Sequence, residues 1–354
     1  MDDEIKSAGK ISSSFLEKVV YPRLGAKRPE ILVGPSPGVD TCVIKIGSNQ
    51  VLVACTDPLS LIPVLGPRES AWMSVNLIAN DLATSGLTPQ YMIVDLSLPP
   101  RMSEELLRNY WDALSEECAH LGIAIVAGNT GKFEGIDYTI VGAGTAFSIG
   151  ARNRCIVSSD AKLGNDVILT KGAAISATAI LAKVFPKKVS AKIGADLQRK
   201  AADTFSQISG MNDALAAASV GVGDTGIAAM HDVAEGGVLA ACFELCKAAK
   251  LGMEIHKAKI PLSIETKEIC GLFDLDPYRT LGEGAMIVTC IPENTEEVLD
   301  VIRKRGTKAE AIGRLEDASR GVKVIDNSGE TIIQNNFSDP YWGAYYSAKA
   351  ANWD

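Results

Sequence analysis

The feature that most constrains this fold is a change of texture partway along the chain. Up to about Arg152, β-rich runs alternate with helices; beyond it, Ala-rich helices dominate and the strands are short and apolar. The shift, near residues 150–160, predicts an N-terminal domain over 1–153 and a larger C-terminal domain over 154–354. A chain of 354 residues buries enough surface to be stable without disulfide or metal staples.

In the first part, 42–47 and 50–56 read as a hairpin turning at Ser48-Asn49. Helices are expected over 69–85, where Trp72, Met73, Leu77 and Ile78 recur at helical spacing, and over 103–120, opened by an N-cap Ser103 and first-turn acids. Strands are expected at 90–98, 123–127 and 138–147. The second part predicts a strand at 166–170, helices near 173–184, 195–207 and 212–219, and a helix over 236–250. A strand at 285–290, a helix near 293–305 and strands near 308–314 and 321–325 follow. The tail from Asn335 is dense in aromatics (Trp342, Tyr345, Tyr346, Trp353), so it is expected to pack rather than trail.

Charge narrows the function. With 35 Lys+Arg against 43 Asp+Glu and a net charge of −8, the chain lacks the basic face of a nucleic-acid binder. Aromatics at 6% argue against a base-stacking platform. The acidic start MDDEIKSAGK does not read as a signal peptide, and no apolar run is long enough to span a membrane. None of the eight cysteines forms a C-x-x-C pair; Cys242 and Cys246, four apart on a helix, read as core thiols. A cytoplasmic protein is expected.

Two nucleotide motifs nearly match. Gly128-Asn129-Thr130-Gly131-Lys132-Phe133 ends like a P-loop, but Val126 replaces its first glycine and Phe133 its Ser/Thr. Gly221–Gly226 satisfies G-x-G-x-x-G but follows a helix and precedes an apolar run, the reverse of a dinucleotide site. What remains is a set of acids at element ends. Asp40 follows Gly38, Asp57 ends a strand before Pro58, and Asp81 follows Asn80 inside a helix. Carboxylates so placed suit Mg²⁺, which takes few protein ligands and completes its shell with phosphate and water. The small residues 127–131 let backbone N–H groups approach a phosphate, with Lys132 as a point charge. His231, before Asp232 at the end of an apolar run, reads either as a structural hydrogen-bonding residue or as a lining of an acceptor site, since the Gly236-Gly237 turn suits an anion.

The ordered set Gly38-Val39-Asp40, Thr56-Asp57, Asn76–Gly86 with Pro89, Gly128-Asn129-Thr130, His231-Asp232-Val233-Ala234-Glu235-Gly236-Gly237 and Gly282-Glu283-Gly284 resembles the aminoimidazole ribonucleotide synthetase-like (PurM-like) superfamily. The likeness runs from Gly9-Lys10 to about residue 325 and is most like the hydrogenase maturation factor HypE. It implies an α/β (α+β) two-domain fold whose N-terminal mixed sheets pair in a homodimer. It implies ATP with Mg²⁺ on Asp40, Asp57 and Asp81, with Gly128, Asn129, Thr130, Lys132 and Asn80 toward the nucleotide. Glu283 and His231 become the catalytic candidates, and the implied chemistry activates a carboxamide or phosphate-type acceptor oxygen. The small-molecule kinase relatives and a non-catalytic accessory role in metalloenzyme maturation, with a maturation-protein partner, are the alternatives. Three departures stand out. Asn129 replaces the phosphate-loop acid usual in several members, the C-terminus carries no cysteine, and Glu235 stands where HypE proteins usually have an arginine.

Overall fold

The computed structural model describes residues 9–136, 140–334 and 338–353. Among these, two sheets organise the chain. After a short α1 (Ser13–Phe15), the first sheet is built from β1 (Ile31–Val33), β2 (Cys42–Lys45), β3 (Gln50–Ser60), β4 (Tyr91–Leu98), β5 (Ala124–Lys132) and β6 (Val141–Ala151), in the order β1-β2-β3-β6-β4-β5. It is mixed: β4 and β5 run parallel and the other pairs antiparallel. The expected hairpin is β2–β3, with Cys42 opposite Ala54. Residues 138 and 139, the expected start of β6, lie outside the described residues.

Pro58 does not end β3. The strand continues to Ser60, with Pro58 opposite Ala143. β2 accompanies β3 only as far as Ala54, so the strand has an open side where a proline's missing N–H is tolerated.

One face of this sheet carries α2 (Gly66–Ala83) and α3 (Glu104–His120). Ser103 caps α3 as expected, its Oγ accepting the Leu106 N–H at 3.1 Å. α2 is buried over most of its circumference, its Ser70, Ser74, Asn76 and Asn80 included, because both its sides are covered. It packs on β3 and also reaches α7 (Met211–Ala218) and β8 (Ile227–Asp232) of the second half. Ile78, Val94, Ala217, Met230 and Val288 therefore belong to one continuous core.

The second sheet follows the order β13-β12-β9-β11-β7-β10-β8. Its strands are β7 (Asp166–Thr170), β8, β9 (Gly252–His256), β10 (Met286–Cys290), β11 (Ala309–Glu316), β12 (Val322–Asp326) and β13 (Gly329–Ile332). β8 and β10 are buried along their whole length. α8 (Gly237–Ala249) lies with the core on one face; α7 and α10 (Thr295–Arg303) lie with the core shared with the first sheet on the other. A further layer holds α4 (Ile175–Val184), α5 (Pro186–Ile193), α6 (Ala195–Asp203), α9 (Ile264–Leu272) and α11 (Tyr341–Ala350). The aromatic tail packs as expected. Tyr345 and Trp353 meet Phe185, and Trp353 also meets Phe273. All eight cysteines are free, and all but Cys42 are buried, Cys242 and Cys246 included.

Candidate active-site cleft

The predicted acids converge where the two sheets share their core. Asp40 rides on the loop before β2, and that loop is pressed onto α8. Gly38 has a φ of +73°, and a Cβ there would overlap the Glu244 carbonyl oxygen. Only glycine satisfies both the turn and this approach. Asp57 projects from β3 and Asp81 from α2, while β8 ends in His231 and Asp232. The 282–284 turn brings Glu283 alongside. Its backbone N–H donates to Ser176 Oγ at 3.0 Å. Below it, the Lys171 ammonium donates to the carbonyls of Gly284 and Ser209, each at 2.7 Å, and pairs with Asp213 at 2.8 Å.

Burial and mutual repulsion leave Asp57, Asp81, Asp232 and Glu283 reluctant to ionise. Burial first, then Asp232, pushes Asp57 up to about 7, with Lys10 opposing. Burial and Asp40 raise Asp232 to about 6 against the pull of His231 and Lys10. Burial, with Asp232 and Asp57, raises both Asp81 and Glu283 well above the carboxylate range. Acids crowded in this way attract a cation. Donor atoms of Asp40, Asp232 and His231 lie within 4.8 Å of one another, but the imidazole has no nitrogen left for a metal. Its Nδ1 sits 2.7 and 2.8 Å from the two Asp40 oxygens, and its Nε2 lies 3.1 Å from Glu244. Burial opposes the charge on this ring, yet Asp40 and Glu244 raise its pKa well above the ordinary value. The buried ring, held between the Asp40 and Glu244 carboxylates, fixes Asp40. Among the described residues the group of Asp40, Asp232 and His231 does not extend to Asp57 or Asp81.

The remaining predicted residues are placed differently. Gly128, Asn129, Thr130 and Lys132 do not form a loop: they continue β5, paired with Val94, Asp95, Leu96 and Leu98. The strand persists because Gly128 lets β5 close on β4, where a Cβ would overlap the Val94 carbonyl oxygen. Asn129 donates to Asp95 Oδ1 at 3.0 Å, and Lys132 donates to the Met102 carbonyl at 2.9 Å. Asn80 does not face the cleft. Its buried amide donates to the Ile208 carbonyl at 2.8 Å and accepts the Gly210 N–H at 2.6 Å, clasping α2 to the 208–210 turn. Asn76 likewise binds Trp72 O and Glu117.

Three cleft residues escaped the sequence reading. Asp232 stood next to the histidine that drew attention. Glu244 lies about two turns into α8 and only the fold brings it to His231. Lys10 enters from the chain's start; burial opposes its charge, but Glu244, Asp232, Glu283 and Asp40 together raise its pKa.

Comparisons agree with this architecture. Residues 38–148 match the family model described as AIR synthase related protein, N-terminal domain, and residues 162–326 match the corresponding C-terminal domain. A putative hydrogenase expression/formation protein of Methanocaldococcus jannaschii is 23% identical over 337 residues, covering 94% of this chain and 96% of that protein. Among solved structures, a HypE–HypF complex matches with a TM-score of 0.68 at 19% identity, covering 91% of this chain and 99% of that one. AaThiL complexed with AMPPCP and TMP matches with a TM-score of 0.67 at 19% identity, covering 90% and 96%. At these identities the structural matches establish the fold.

Proposed function

We propose that this chain, which belongs to the AIR synthase related family, binds ATP with Mg²⁺ in the acidic cleft and activates a carboxamide or phosphate-type acceptor oxygen by phosphoryl transfer. The observation that carries this reading is the convergence of Asp57, Asp81, Asp232 and Glu283, their ionisation suppressed, beside Asp40. Asp40, Asp57, Asp81 and Asp232 would hold Mg²⁺, which when bound neutralises the charge spread over a transferring phosphoryl group. His231, between Asp40 and Glu244, keeps Asp40 oriented. In the transfer, the acceptor oxygen bonds to the γ-phosphorus as its bond to the leaving ADP oxygen breaks, and the acceptor proton passes to Glu283. That group ionises once bound cations relieve the repulsion from Asp232 and Asp57. Gly128, Asn129, Thr130 and Lys132 enter this reading only as part of the exposed edge strand β5.

The open face of the first sheet, where Ile93, Val126, Val141 and Ile149 are exposed, is the surface through which two copies would pair. The HypE–HypF complex supports a maturation-protein partner. The second reading, a small-molecule kinase, draws on the AMPPCP-bound structure; it shares the nucleotide site and differs in the acceptor. A third, a nucleotide-binding accessory protein, draws on Asn129.

Calorimetric titration of ATP, first with Mg²⁺ and then with EDTA, tests the reading. Binding that needs Mg²⁺ supports it, and no binding in either condition overturns it. Release of ADP with candidate acceptors then separates an enzyme from an accessory protein.

A further inference from the structure

The residue that departs most sharply from the HypE-like pattern, Glu235, joins the two ends of the chain at the cleft. Its Oε2 accepts the backbone N–H of Lys10 at 2.7 Å, and its Oε1 accepts the indole Nε1–H of Trp342 at 3.0 Å. The next residue is held by the same tail: Asp339 accepts the Gly236 N–H at 2.8 Å, the Thr280 hydroxyl at 3.1 Å and the Tyr341 N–H at 2.8 Å. The fit at the junction is close. Gly9 has a φ of +113°, and a Cβ there would lie 2.9 Å from Glu235 Oε2 and 3.2 Å from Trp342 Cδ1. The helix carrying Trp342 is itself anchored by Tyr341 and Tyr345, both buried in the aromatic cluster. The start of the chain is thus held at residue 10 by a carboxylate whose other oxygen is fixed by the tail. An arginine at 235 accepts neither bond.

We propose that Glu235 and Trp342 form a clamp through which the C-terminal helix positions the Lys10 segment against the phosphate end of the cleft. Glu235 and Trp342 are positioning residues in this arrangement, acting through Lys10. The anion position at the start of α8, which the Gly236-Gly237 turn offers to a ligand, is filled from within by Asp339. The tail therefore serves as a wall of the cleft.

The functional half of this inference rests on the Mg-ATP reading, so two measurements on the full chain separate them. Hydrogen exchange of residues 10–16 reads the clamp without nucleotide. Protection should fall in W342F, which keeps the ring but loses the N–H, and in E235Q, which keeps one acceptor oxygen where two are used. Protection of 227–232 should be unchanged. If 10–16 remain equally protected in both variants, the clamp is wrong whatever the protein binds. The second measurement is a double-mutant cycle on Mg-ATP affinity. K10M is expected to raise Kd about tenfold, the scale of one lost charge-assisted contact, and W342F to raise it by less. W342F combined with K10M should be no weaker than K10M alone. Losses that simply add would show that Trp342 does not act through Lys10, and E235Q repeats the cycle should W342F fold poorly. Absence of Mg-ATP binding in the wild-type chain would overturn the nucleotide reading while leaving the exchange result to judge the clamp.

Discussion

In β4 of the first sheet, Met92, Val94, Leu96 and Leu98 point into the core, while Ile93 and Asp95 stand exposed between them. In β10 of the second sheet, five consecutive residues from Met286 to Cys290 are all buried. Both strands are apolar, but they answer different surroundings. The first sheet has helices on one face only, so burial alternates with period two; the central strands of the second are covered on both faces. Cover on both sides locks a strand in place, whereas an open apolar face leaves a surface for something else to occupy. The acidic cleft lies where these two kinds of sheet meet, with acids drawn from both.

The contrast can be broken most severely in the second sheet. Val288→Asp places a charge in a strand with no exposed face and should cost about 4 kcal/mol or more. We expect no soluble folded protein on expression, and a cooperative melt near the wild-type temperature would refute two-sided burial. Val126→Asp, on the exposed β5, should leave the melting temperature nearly unchanged. If the open face joins two copies, sedimentation should give twice the chain mass for the wild type and a single chain mass for the variant.

Asp57→Asn probes the meeting place itself. It removes one charge from a repelling group, so the metal-free protein should be no less stable, while Mg-ATP affinity falls roughly tenfold to a hundredfold. Calorimetry beside a thermal melt checks both arms; unchanged affinity would remove Asp57 from the metal set. The smallest effect is a pH dependence. Asp57 at about 7 and Asp232 at about 6 hold protons more tightly folded than unfolded. Their contribution to stability without Mg²⁺ is therefore fully present below the ordinary carboxylate range and is lost as pH rises through 6 and 7. The raised imidazolium of His231 works in the same direction. Thermal melts should show a midpoint a few degrees lower at pH 8 than at pH 5.5, and saturating Mg²⁺ should narrow the gap. A midpoint that rises with pH would contradict the crowded-acid picture.

Much of the architecture was legible because burial writes itself into pattern. β7 spans the expected 166–170, and α2 and α3 follow their periodic apolar residues to within a few positions. The misses share a cause. α5, eight residues long, and β9, five residues long, are too short for periodicity to separate them from their neighbours. β5 ran past its expected end because Gly128 and Gly131, which look like loop residues, are needed for close packing between strands. In the cleft, Asp40, Asp57 and Asp81 could be picked out because each interrupts a local pattern. Glu244 and Lys10 could not, since an acid on a helix and a lysine near a terminus are ordinary in sequence and become unusual only through the long-range neighbours the fold brings to them.

The thiols give the molecule a built-in clock. Burial pushes those of Cys118, Cys246 and Cys270 up to about 12, so in the folded protein almost none is present as the reactive thiolate. Cys118 sits on α3 of the first half, while Cys246 on α8 and Cys270 on α9 lie in the second. An alkylating reagent followed by mass spectrometry would therefore date each region's opening separately, without any engineered probe.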